Sequence, residues 1–196
     1  MPRPRTVEDA ELLDAVLALA HRVGPARLTL AAAAKEVGLA PATLVQRFGT
    51  KRALLLAADR RGIERWTSSF ARASADTELG RVVEGLVVAT DGIDTPEEMA
   101  GSVALLQLDL ADPEFHAATL EGARSVRAQI AAGLAAARTG GELRPETDVE
   151  ALAVLVETTY HGSMIGWAIH REGTLAGWVR NQAESVLSPW KALTHP

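Results

Sequence analysis

No cysteine occurs anywhere in the 196-residue sequence, so a disulfide framework, a thiol nucleophile and a cysteine-ligated zinc are excluded. Aromatic side chains are scarce, with one Tyr, three Phe and four Trp. Nearly half the residues are nevertheless apolar, so the core has to be built mainly from Leu, Val and Ala, a composition that favours helices over sheets. Long hydrophobic runs are missing as well. No stretch of about 18 uncharged apolar residues exists, and Met1-Pro-Arg-Pro-Arg5 leads into acidic residues rather than an apolar signal segment. These absences predict a soluble, unexported, cytoplasmic protein. Alternating apolar patterns bounded by hairpin turns are also lacking, and no internal repeat or low-complexity tract appears beyond an Ala-rich bias. The expected fold class is all-α.

Arrangements that assemble catalytic chemistry are absent too. The sequence has no Gly-rich phosphate loop, no Gly-x-Ser-x-Gly elbow and no His-Glu-x-x-His motif. Glu157 and His161 stand four apart and can share a helix face, but no second His lies at ligand spacing. A hydrogen bond along the helix or a polar point in a pocket explains them better than a metal. The reading is of a protein that is not an enzyme and that uses no cofactor and no metal.

Positive charge is unevenly placed. The net charge is −5, yet residues 1–65 carry 11 Lys plus Arg against 7 Asp plus Glu, whereas residues 66–196 carry 9 against 18. A basic head on an acidic body suits a reader of nucleic acid, because phosphate attraction fades within a Debye length of roughly 8–10 Å. Arg far outnumbers Lys and Ala is abundant, the bias of a GC-rich bacterial genome.

Helical periodicity runs along the whole chain. Thr6 can cap a first helix whose apolar positions Ala10, Leu13, Val16, Leu17 and Ala20 follow i, i+3, i+4 spacing, ending near Gly24-Pro25. Two short helices follow around a tight turn: Gly38 can take the left-handed conformation that ends a helix, and Pro41 suits the first turn of the next. That spacing describes a helix-turn-helix, whose second helix can lie in the DNA major groove. Thr50 then caps a long fourth helix. Residues 68–80 are polar and less regular, and the boundary between a head (1–65) and a body (66–196) is placed there. The body reads as helices at about 79–91, 96–110, 113–138, 147–171 and 174–190, with starts at Thr95, Asp112-Pro113 and Thr147 and stops at Gly140-Gly141 and Gly173. About nine helices are expected in all.

The stretch Leu28–Leu54 resembles the DNA-binding domain of the tetracycline-repressor (TetR) family. Thr29, Ala33 or Ala34, Gly38, Leu44, Phe48, Lys51 and Leu54 stand at the matching positions, whereas Ala40, Val45 and Arg52 replace the usual Ser, Tyr and Glu. The resemblance implies an N-terminal three-helix DNA-binding domain on a larger helical domain that binds a small effector and dimerises. It implies a regulator, most often a repressor, that holds a palindromic operator as a homodimer and is released by the effector. Among candidate DNA contacts, Pro41, Ala42, Thr43, Gln46 and Arg47 are the groove-facing positions. Arg47 can pair with guanine and Gln46 with adenine. Thr29 and Lys51 match phosphate-holding positions of the family, and Arg52 adds backbone attraction beside Lys51.

The candidate effector lining is Met99, Val103, Leu106, Gln107, Phe115, His116, Tyr160, His161, Met164 and Trp167, mostly apolar with a few polar groups, which suits a largely apolar ligand. Residues 147–171 carry apolar side chains on two sides. Val149, Leu152, Val156, Tyr160, Met164 and Trp167 form one, and Ala151, Leu155, Ile165 and Ile169 spread over another. With the last helix, this surface is expected to join two subunits. The alternative is a helical small-molecule-binding protein or enzyme that carries a vestigial helix-turn-helix.

Overall fold

The computed structural model of the chain describes residues 8–192. Ten α-helices follow one another: α1 (Asp9–Val23), α2 (Leu30–Glu36), α3 (Pro41–Phe48), α4 (Lys51–Thr67), α5 (Ser69–Arg72), α6 (Glu78–Val88), α7 (Pro96–Ala111), α8 (Pro113–Thr139), α9 (Val149–His170) and α10 (Leu175–Leu187). A 3-10 turn covers Ser188–Trp190. Among the described residues there is no strand, only an isolated antiparallel bridge between Leu143 and Lys191. The fold is all-α, as composition and periodicity predict.

Local chemistry sets the helix ends. Thr29 accepts a hydrogen bond from Ala32 N (3.0 Å), and Thr50 accepts one from Ala53 N (3.1 Å), so both act as N-caps. Gly38 and Gly49 take the left-handed φ values of 68° and 74° at the turns that close α2 and α3. The expected cap at Thr6 lies outside the described residues, and the N-cap position of α1 is Glu8, without a side-chain cap. Two expectations in the body need correcting. Asp148, not Thr147, caps α9: its Oδ1 accepts from both Glu150 N and Ala151 N at 3.1 Å, whereas the Thr147 hydroxyl is buried without a partner. The same helix ends within a residue of the expected position 171, but the left-handed stop is Arg171 (φ 59°) and not Gly173. The short helix α5 adds a turn where none was expected.

Within the described residues the chain divides into two compact units. One is the stretch up to Glu64 together with Glu97–Leu120, and the other is Arg65–Pro96 together with the stretch from Glu121. A single division near residue 65 leaves out Glu97–Leu120, which packs with the N-terminal helices. Leu105 of α7 and Phe115 of α8 belong to the same buried cluster as Leu12, Val16, Leu28, Leu44 and Leu54. That cluster positions α3, because Leu44 is completely buried in it and Phe48 packs against it.

In the second unit, α6 is pinned at its start. Thr77 caps it by accepting from Gly80 N (2.9 Å), and the Glu142 carboxylate accepts from Glu78 N (2.8 Å) and Leu79 N (3.0 Å). A carboxylate at the positive end of a helix is favoured by the dipole. Along α9, Leu152, Val156, Tyr160, Met164 and Trp167 are buried, while Ala151, Leu155, Ile165 and Ile169 are exposed. The two-sided pattern read from the sequence is therefore the observed division between core and surface. No helix of the described residues is long and apolar enough to cross a membrane.

Candidate nucleic-acid interface

The helix α3 owes its pose to its apolar side. With Leu44 and Phe48 turned inward, the opposite side presents Pro41, Ala42, Gln46 and Arg47, all exposed, with Thr43 half-buried at its edge. Ala40 occupies the N-cap in extended conformation (φ −73°, ψ 141°) and offers no side-chain hydrogen bond. Its backbone already suits a capping residue, so Ala40→Ser is expected to stabilise the protein by about 0.5–2 kcal/mol. Thermal unfolding checks this, and a rise of a few degrees in the midpoint is the expected result.

The cations around α3 are held in distinct ways. Arg47 forms an ion pair with Asp9 at the start of α1 (2.7 Å), the Asp side chain being largely exposed. Lys51 Nζ donates to the Ala26 carbonyl (2.8 Å) and ties the start of α4 to the segment after α1. Arg52 is engaged most fully: its guanidinium donates to both Asp112 oxygens (2.9 and 2.7 Å) and to Glu114 (3.0 Å), and it lies 5.7 Å from the Phe115 ring centroid. These hydrogen bonds raise the Arg52 pKa further and hold the Asp112 carboxyl below the usual carboxylate range. Asp112 also caps α8, accepting from Glu114 N at 3.0 Å. Arg52 thus faces its own acidic partners, an arrangement that spacing in the sequence does not reveal because they stand 60 and 62 residues away.

The ten residues assigned to an effector are divided between the two units. Met99 and Phe115 are buried in the first, where Val103, Leu106, Gln107 and His116 are exposed. Tyr160, Met164 and Trp167 are buried in the second. His161 packs edge-on to Trp66 (5.7 Å) and Tyr160 (5.3 Å), and loss of solvation against them lowers its imidazole pKa even though part of the residue stays exposed. Glu157, four residues earlier, is buried and accepts a hydrogen bond from Arg127 Nε (2.6 Å). Sequence reasoning missed Trp66, whose indole N–H is buried without a partner. A cleft of about 920 Å³ in the second unit, bordered by Glu84, Glu142, Arg144, Arg180 and Lys191, includes none of the ten.

A compact three-helix head with an outward second helix, on an all-helical frame, defines a helix-turn-helix protein of the DNA-binding class. Residues 12–58 match the family model for bacterial regulatory proteins of the tetR family. The module belongs to that family, and the whole chain has the fold of proteins named as its members. A TetR-family regulator from Cytophaga hutchinsonii superposes with a TM-score of 0.76 at 12% identity, over 97% of this chain and 100% of that one. A TetR regulator from Haloarcula marismortui gives 0.76 at 19% identity, over 93% and 97%. A protein from Saccharomonospora viridis, named as a transcriptional regulator and solved in complex with choline, gives 0.74 at 18% identity, over 93% and 96%. No curated protein matches the chain.

Proposed function

We propose that the protein is a cytoplasmic, homodimeric transcriptional regulator, acting as a repressor, that binds a palindromic operator and is released by a small-molecule effector. The observation that carries this reading is the outward face of α3: Pro41, Ala42, Gln46 and Arg47 are exposed on a helix whose other side is locked by Leu44. Gln46 and Arg47 supply the side-chain chemistry for adenine and guanine edges, while Thr29 and Lys51 flank the helix at phosphate-reading positions. Arg52 has to give up Asp112 and Glu114 in order to reach a phosphate.

Dimerisation is supported by the outer side of α9. Ala151, Leu155, Thr158, Gly162, Ile165 and Ile169 recur at alternating steps of four and three along one exposed stripe, and Ile169 is 71% exposed. Gly162 has open space where a side chain would stand, so a partner helix can approach closely there. With α10, this surface gives two helices per subunit, and a two-fold arrangement presents two recognition helices to half-sites about 34 Å apart. The choline bound in the Saccharomonospora viridis protein supports a body that admits small ligands, for which, within the second unit, Tyr160, Met164 and Trp167 offer apolar surface and His161 a polar point. The effector has to bind the two dimer states with different affinity in order to shift them.

Duplex binding by two variants tests the head. Arg47→Ala is expected to lose about 1–3 kcal/mol of discrimination at one base position and to leave other positions unchanged. Lys51→Ala is expected to weaken all sequences alike and to lower the slope of affinity against salt. Unchanged specificity and unchanged salt dependence in both would remove α3 from the interface.

A further inference from the structure

Two aspartates inside the first unit have no role in the reading above. Asp59 of α4 and Asp109 of α7 are 9% and 8% exposed, and Oδ2 of the one and Oδ1 of the other are buried without a hydrogen-bond partner. They stand among apolar neighbours, since Leu55, Leu56, Ala58 and Leu105 on the same two helices are buried in the common cluster. A buried carboxylate with an unsatisfied oxygen is costly, and the charge of Asp109 acts on Asp59 as well, which makes the doubly charged state worse still. The cleft of the second unit is lined by neither residue. A proton is the cation that satisfies such oxygens without any opening.

We propose that Asp59 and Asp109 form a buried proton-binding site that couples the packing of α4 against α7 to pH, with the helices held together while the pair is protonated and loosened when both carboxyls are charged. The electrostatics agree in sign. Burial, with Asp109 as a like charge, pushes Asp59 up to about 7, and burial pushes Asp109 up to about 6. Arg60 lowers the first, and the Thr119 hydroxyl, near enough to act on Asp109 though without a hydrogen bond to it, lowers the second, each offsetting only part. Other charged groups on the surrounding helices are turned to partners of their own. Asp14 of α1 is held by Arg61 at 3.1 Å, which also pairs with Glu64, while Asp112, just ahead of α8, and Glu114 of α8 are held by Arg52. Arg60 itself lies 3.8 Å from Glu114. The backbone of His21 of α1 meets α7 at Gly101, about two helical turns before Asp109.

A carboxyl whose folded value is raised binds its proton more tightly folded than unfolded. Stability is therefore greatest below the unfolded value, near 4, and falls as pH rises through 6 and 7. The full-length protein, labelled with carbon-13 at its aspartate side-chain carboxyls and titrated from pH 4 to 8.5 by NMR, tests this, and an imidazole contributes no signal to that readout. Two resonances are expected with midpoints roughly two or more pH units above the ordinary aspartate value. One should vanish in Asp59→Asn and the other in Asp109→Asn, and the Asp59 midpoint should fall in Asp109→Asn. The unfolding midpoint of the unsubstituted protein should drop between pH 6 and pH 8, with the drop reduced in Asp59→Asn. If all aspartate carboxyls of the unsubstituted protein titrate below about pH 5, the proposal is overturned, whether or not either variant folds.

Discussion

Gly101→Ala is expected to lower the thermal unfolding midpoint by roughly 6–12 °C, corresponding to about 3 kcal/mol in a chain of this size. Gly101 is buried on α7, and a Cβ there would overlap the backbone oxygen of His21 near the end of α1. Overpacking against a flexible side chain is relieved by a rotamer change, but a carbonyl oxygen fixed in a helix moves only with its helix. The methyl group therefore forces α1 and α7 apart inside the core that holds Leu12, Val16 and Leu105. Gly62→Ala is the matched control. A Cβ there meets only the Leu17 side chain, with Cδ2 at 2.9 Å, the far end of a flexible side chain, and the gain of Ala over Gly in a helix is about 1 kcal/mol. Little net change is expected at Gly62, and an equal loss at both positions would show that the close contact at Gly101 is not what matters.

The second large effect is expected at the ion pair of α8 and α9. Glu157 is 4% exposed and accepts its short hydrogen bond from Arg127, whose own side chain is half-exposed. Removing the cation leaves a buried carboxylate uncompensated, which costs about 3–5 kcal/mol in a fully buried pair. Solvent reaches the Arg127 side, so a loss of roughly 2 kcal/mol is the better expectation for Arg127→Met. Adding Glu157→Gln removes the stranded charge and should restore most of that stability, because the penalty belongs to the charge and not to the lost contact. Denaturant unfolding of the single and double variants distinguishes the two. A double variant less stable than Arg127→Met would mean that the pair is valued for its packing.

Features that rest on neighbours in sequence were legible. Thr29 and Thr50 cap helices, Asp112 caps α8 and Gly38 turns left-handed, because each effect spans only a few residues. The stripe along α9 was legible because a 3.6-residue period converts spacing directly into a face. Thr147 was misread as a cap because Asp148, next to it, satisfies two N–H groups with one oxygen. Long-range packing carried no local signal: that Leu105 and Phe115 join the cluster of the N-terminal helices depends on contacts far apart in the chain. Arg52 reads as a phosphate-facing cation until Asp112 and Glu114 are seen to hold it. Asp59 and Asp109 sit in helices that read as ordinary amphipathic segments, and only burial on the folded chain sets the two apart. The effector residues are the least legible, since a side chain that lines a pocket and one that fills a core share the same composition.

Selection of the purified protein against a random duplex library at near-physiological salt tests the central claim most directly. A palindromic consensus with half-sites about one helical turn apart is the predicted result. Folded, dimeric protein that enriches no sequence would contradict a DNA-reading role for α3.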